Sequence, residues 1–142
     1  MRYEMPASSL QAMLTNNESK NLKGAPFTVK SLKTGKDYTF KIKNTPYNGV
    51  NYVHVMVETE YMNFKYLGYF RNGNLVRKGG VVADSPSALA ASWLLRQVSA
   101  NKLQELQSNV KIYHLGNCCK CGKPLTDAQS IVAGIGPKCG SF

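Results

Sequence analysis

Along the chain the hydrophobic period changes more than once, and each change predicts a different element. Within residues 1–26, Leu10, Met13 and Leu14 are spaced as on one face of a helix, and the polar, turn-forming run TNNESKNLKG follows. A short helix and a linker are expected there. From Phe27 the period falls to two. Phe27 and Val29 alternate with Thr28 and Lys30, and beyond a TGKD turn Tyr38, Phe40 and Ile42 alternate with Thr39, Lys41 and Lys43. Successive side chains of a strand point to opposite faces, so this hairpin has one apolar and one basic face. The stretch NYVHVMVE after Asn48-Gly49 predicts a third strand, and KYLGYFRNGNLVRK a further hairpin about Asn72-Gly73. Asn and Gly tolerate the positive φ that tight hairpin turns require.

Helical spacing returns in DSPSALAASWLLRQVSANKLQELQ, with Leu89, Trp93, Leu94, Val98, Leu103 and Leu106 as its apolar stripe. Asp84 and Ser85 are capping candidates and Pro86 suits a first turn, because its missing N–H would have had no intrahelical acceptor. One long helix from about 84 to 108 is expected to cover one face of the sheet. The predicted class is α+β: a short helix and linker over 1–26, an antiparallel sheet packed by one long helix over 27–110, and a small metal-binding module over 111–142.

Composition narrows the partner. Of 142 residues 43% are hydrophobic, enough for a packed core, and no apolar run approaches the ~18 residues of a membrane span. Without a secretory leader pattern, a reducing cytoplasm is the expected location and free thiols the expected state of the cysteines. The formal net charge is +10. Such an excess favours polyanions, nucleic acid first. Residues 27–83 carry nine Lys and Arg against three Asp and Glu, so the sheet is the basic part. Lys30, Lys41, Lys43, Arg71, Arg77, Lys78 and Lys138 are the candidate phosphate contacts. Tyr52, Tyr61, Phe64, Tyr66, Tyr69 and Phe70 lie between these cations and could stack on bases. A basic outer face is also what any half-buried sheet shows to water, and most of these aromatics, with His54, are expected in the core.

All the cysteines lie in the last quarter, in HLGNCCKCGKPLTDAQSIVAGIGPKCG, residues 114–140. Cys118 and Cys121 have the spacing of a zinc knuckle, in which two thiolates on one tight turn reach the same ion and Gly122 relieves the crowded backbone. Cys139 supplies a third thiolate, and His114 is the nearest imidazole able to complete a tetrahedral set. Cys119 is a rival ligand, but its side chain leaves the chain in a different direction from that of Cys118, and a free thiol is expected. Two disulfides would need strained geometry at adjacent cysteines. A thioredoxin-like pair should open a helix after a parallel strand, which CCKCGKPL does not. Asp127 is the single acidic residue from Lys111 onward, so catalytic zinc lacks its usual base. One structural Zn2+ on His114, Cys118, Cys121 and Cys139 is the expectation. Thr126 and Gln129 have capping-box spacing, which predicts a short helix from about 127 to 133 ended by Gly134. The GIGPK turn is similar to the hairpin of helix-hairpin-helix DNA-binding motifs, although Cys139 stands where a second helix would begin. A metal-site role for its glycines is favoured, and Lys120, Lys123 and Lys138 are expected on the module's surface.

Taken in order, His114, Cys118, Cys121, Gly122, Leu125, Thr126, Ser130, Ile131, Gly134, Ile135, Gly136, Pro137 and Cys139 form a pattern that resembles domain of unknown function 6011, an uncharacterised zinc-knuckle family of bacteriophage, prophage and actinobacterial proteins. The resemblance implies zinc binding and a mobile-element context and no particular activity; Cys119 departs from it. Two functions are expected: nucleic-acid binding through a basic surface, or binding of a host protein or nucleoprotein complex such as a polymerase or defence effector. Neither requires enzymatic activity.

Overall fold

The computed structural model describes residues 2–14, 23–47, 50–60, 63–71, 74–78, 85–136 and 139. Among these described residues seven strands form one antiparallel sheet: β1 Tyr3–Met5, β2 Phe27–Ser31, β3 Asp37–Tyr47, β4 Val50–Glu60, β5 Asn63–Arg71, β6 Asn74–Arg77 and β7 Val110–His114. Their spatial order is β1-β7-β2-β3-β4-β5-β6. The helices are α1 Ser8–Leu14, α2 Pro86–Ser99, α3 Leu103–Asn109 and α4 Ala128–Ala133.

The alternation predicted for the middle strands holds through the register. Phe27 faces Phe40, Ile42 faces Val55, and Phe40 faces Val57 across the strands. These residues, with Val29, Val53, Leu67 and Ile112, join Leu10 and Met13 of α1, Leu94, Leu95 and Val98 of α2, Leu106 of α3 and Ile135 in one buried cluster. Each side chain of this size contributes about 1.5–3 kcal/mol when fully withdrawn from water. The cluster takes its sheet residues from one face only. Lys41, Lys43, Tyr52, His54, Met56, Phe64, Tyr66 and Tyr69 are absent from it.

Three expectations change. The single long helix is two, because Asn101 adopts φ 58 and ends α2. Asn is a weak helix former and visits the left-handed region more readily than most residues. The break lets Leu106 turn inward, where it is fully buried, while Ser85 caps α2 by accepting the Ala88 amide at 3.3 Å. The C-terminal module is also less separate than a boundary at 110 implies. Its first strand, β7, lies inside the sheet, pairing β2 from Phe27↔His114 to Ser31↔Val110. On its other side it pairs β1, so the N-terminal segment contributes a strand that its length had hidden. The alternation of Val110, Ile112 and His114, all buried, with Lys111 and Tyr113 was a readable strand signal. The Asn48-Gly49 and Asn72-Gly73 turns, Asp84, most of the TNNESKNLKG run, Tyr61 and Lys138 lie outside the described residues.

Candidate functional site

After β7 the chain makes a tight knuckle. The Cys118 amide donates to Lys123 O at 2.7 Å, Gly122 N to Cys118 O at 2.8 Å, and Leu125 N to Gly116 O at 2.9 Å. Helix α4 then brings the chain back. Its cap is Asp127, whose carboxylate accepts the Ser130 amide at 3.0 Å, one residue later than the capping box expected at Thr126. Gly134 closes α4 in the left-handed conformation at φ 73. This return sets Cys139 beside the knuckle: the Sγ atoms of Cys118, Cys121 and Cys139 lie within 4.8 Å of one another.

Three thiols this close suit a cation. Burial pushes the Cys118 thiol up, but the amides of Gly136, Cys121 and Lys120 and the Cys121 side chain outweigh it and pull it below its ordinary value. Two of those amides approach Cys118 Sγ at 3.3 Å from Gly136 and 3.5 Å from Cys121. Burial, followed by the charges of Cys118 and Cys121, pushes Cys139 up to about 12. One sulfur is thus prepared as a thiolate while repulsion hinders ionisation of the next, a conflict that a dication shared among the three would remove. The chemistry of the donor set therefore fits a bound metal. Cys119 takes no part: it is buried and pushed up to about 12, by burial first and then by Cys118.

His114 does not join the sulfurs. Its Nδ1 accepts the Gly116 amide at 3.0 Å, and Nε2 lies 2.6 Å from Ile131 O, to which it donates. The ring is fully buried and stacks on Tyr3, with centroids 5.2 Å apart. Both nitrogens are committed to the backbone, so the expected fourth ligand is instead a clasp between β7 and α4. The reason is parity: His114 ends a strand on the core face, which directs its ring under α4. Lys120 is likewise corrected, since it is buried and Nζ donates to Ala12 O at 3.0 Å. Lys123 is exposed as expected.

Residues 112–141 match DUF6011, a family of unknown function. No curated protein and no solved structure matches the chain. The DUF6011 segment contains the three-cysteine cluster, the His114 clasp, α4 and β7 residues Ile112–His114. Its GIGPK turn points inward where described, with Ile135 buried and the Gly136 amide on Cys118 Sγ. Among the described residues no helix is long and apolar enough to cross a membrane.

Beyond the DUF6011 segment, the candidate nucleic-acid residues divide. Lys30, Lys41 and Lys43 share the sheet face opposite the core, by their pairing with Asp37, Met56 and His54. Lys78 is exposed just beyond β6. Arg71 and Arg77 hold the register positions opposite Asn74 and Gly68. Near β1 and β7 the face is charge-balanced: Arg2 pairs with Asp37 at 3.2 Å and lies over the Tyr113 ring, and Lys111 lies 3.6 Å from Glu4. Over β3 to β5 it is basic and aromatic. Lys41 Nζ lies 5.5 Å from the Phe64 ring centroid. Tyr52 meets Tyr69 edge-on at 5.8 Å and stacks with His54 at 6.2 Å, and His54 meets Tyr66 at 5.5 Å. His54 and most of the aromatics singled out in the sequence are therefore surface groups on a half-buried face. Phe70 is the exception, packing against the core from the other side.

Proposed function

We propose that the chain is a non-enzymatic nucleic-acid-binding protein whose sheet face over β3 to β5 contacts the ligand and whose metal is structural. One observation carries the reading: Lys41 and Lys43 lie beside Tyr52, His54, Phe64, Tyr66 and Tyr69 on the face that the hydrophobic core does not use. Cations give affinity for phosphate, and surface rings beside them give contacts that water alone would not favour. The net charge of +10 supports the same partner.

Zn2+ is the metal that best suits three thiolates on tight turns, and thiols kept free for it fit a reducing cytoplasm. The ion would fold the knuckle and α4 against the sheet, since so short a segment buries little core of its own. Its contribution is to hold β7 in register between β1 and β2. The mobile-element context implied by the DUF6011 resemblance belongs to this proposal as well.

The test is affinity for DNA and RNA as a function of salt. Binding whose logarithm falls linearly with the logarithm of salt concentration is expected, because phosphate contacts release counterions. Absence of binding at low salt would refute the reading and leave charge-steered docking to a protein as the use of this surface.

A further inference from the structure

The nucleic-acid reading leaves the kind of ligand open, and the arrangement of rings and cations narrows it. Tyr52 and His54 occupy alternate positions of β4, and Tyr66 and Tyr69 lie beside them on β5. A step from Tyr66 to Gly68 on β5 matches a single step from Met56 to Val55 on β4, so Leu67 is an extra residue and the strand's parity reverses. Leu67 is fully buried, and because of the bulge Tyr66 and Tyr69 both reach His54 or Tyr52 on the outer face. A regular strand would have sent Tyr69 to the core side. The bulge builds a contiguous patch from Tyr52, His54, Tyr66 and Tyr69, and all four remain partly exposed.

Such a patch has little to offer a duplex. Paired bases are stacked on one another and present only their edges in the grooves, so ring faces on a sheet cannot reach theirs. Unpaired bases have free faces; the edge-to-face pair of Tyr52 and Tyr69 uses one face of one ring, and Tyr52 in addition stacks with His54. On β3, next to the rings, Lys41 and Lys43 are two residues apart on the same side. That places them about 7 Å apart along the strand, comparable with successive phosphates of an extended single strand. Among the described residues no carboxylate forms an ion pair with either lysine. Glu58 also lies on this face, opposite Phe64 and two residues along β4 from Met56, the partner of Lys41. The cation row and the ring row therefore run side by side along neighbouring strands.

We propose that this face binds single-stranded nucleic acid, with unpaired bases stacked on Tyr52 and Tyr69 and the adjoining phosphates on Lys41 and Lys43. The proposal rests on the nucleic-acid function above and specifies its substrate class.

Fluorescence anisotropy of the metal-loaded full chain with single-stranded oligo-dT, oligo-U and a mixed-sequence duplex separates the two claims. The single strands are expected to bind more tightly than the duplex. Tyr52→Ala and Tyr69→Ala should each weaken single-strand binding roughly ten- to a hundred-fold, the range of a lost stacking platform, and weaken duplex binding by clearly less. Tyr52→Phe and Tyr69→Phe should retain most of the affinity. The double variant Lys41→Ala, Lys43→Ala should weaken both ligands and flatten the salt dependence. Equal affinity for duplex and single strand, with the alanine variants indistinguishable from wild type, would overturn the stacking claim and leave charge-driven binding standing. Loss of all binding in the wild type would overturn both. Photocrosslinking of the wild-type protein to 4-thiouridine RNA is independent of variant folding: adducts on peptides containing Tyr52, Tyr66 or Tyr69 support the site, and adducts confined elsewhere refute it. The oligo-dT and oligo-U arms decide between DNA and RNA.

Discussion

The Nδ1 atom of His54 and the hydroxyl oxygen of Tyr66 lie 2.9 Å apart, joining β4 to β5 on the face away from the core. Tyr52, Tyr66 and Tyr69 surround the imidazole, and Lys43 stands opposite it on β3. Burial, and then the charge of Lys43, hold its pKa below the ordinary 6.5.

This depression has a sign. The unfolded chain takes up the proton first as pH falls, so the folded state loses stability from about pH 6.5 down through the lower folded value and is unaffected above. A histidine titration by NMR should show one imidazole with a midpoint below 6.5 that disappears in His54→Gln. The same variant should flatten the loss of thermal stability over that window. A midpoint above 6.5 would contradict the geometry.

The clasp at His114 predicts a dissociation of metal binding from stability. His114→Ala removes two hydrogen bonds and a fully buried ring, a loss of about 3 kcal/mol for a substitution that leaves both a cavity and an unpaired carbonyl. It should nevertheless still bind metal, at one equivalent by elemental analysis, under conditions where it is folded. A folded His114→Ala protein with no metal would restore His114 to the ligand set.

Removing a sulfur should do the reverse. Cys118→Ser or Cys139→Ser is expected to abolish stoichiometric metal, and chelation of the wild-type protein should lower its melting temperature and expose thiols to a colorimetric reagent. Cys119→Ala should keep its metal, because its side chain lies outside the cluster of Cys118, Cys121 and Cys139. Full metal loading of Cys139→Ser would show that the three-sulfur arrangement is not the site.

A pair of glycine substitutions tests the packing of α4 on the sheet. Gly35 and Gly134 both adopt positive φ, 76 and 73, so an alanine at either costs about 1 kcal/mol for the backbone conformation. At Gly35 a methyl group would meet nothing, whereas at Gly134 it would collide with Met5 Sδ and crowd the His114 ring. Gly134→Ala should therefore be the more destabilising by at least about 1 kcal/mol in denaturant unfolding. Equal losses would mean that the β1–β7–α4 corner is looser than its geometry indicates.

The parts of this protein readable in the sequence are those governed by near neighbours. Period-two alternation in Phe27–Ser31 and Tyr38–Lys43 identifies a hairpin with an apolar and a basic face, since side-chain direction in a strand depends only on parity. Ser85 followed by Pro86 identifies a helix start, and CxxC spacing brings two sulfurs together through the geometry of one turn. Gly134 ends α4 where expected for the same local reason.

What the sequence did not contain was parity across an insertion and the partner of each ring. The bulge at Leu67 reverses the facing of Tyr69, and only pairing with β4 reveals it. Spacing alone made His114 a natural metal ligand, but β7 enters the sheet between β1 and β2 and turns the imidazole toward the Ile131 carbonyl. Sequence by itself determined which residues could ligate a metal, carry charge or stack. Tertiary structure decided which of them meet, because a hydrogen-bonded register sets the direction of every side chain along a strand at once.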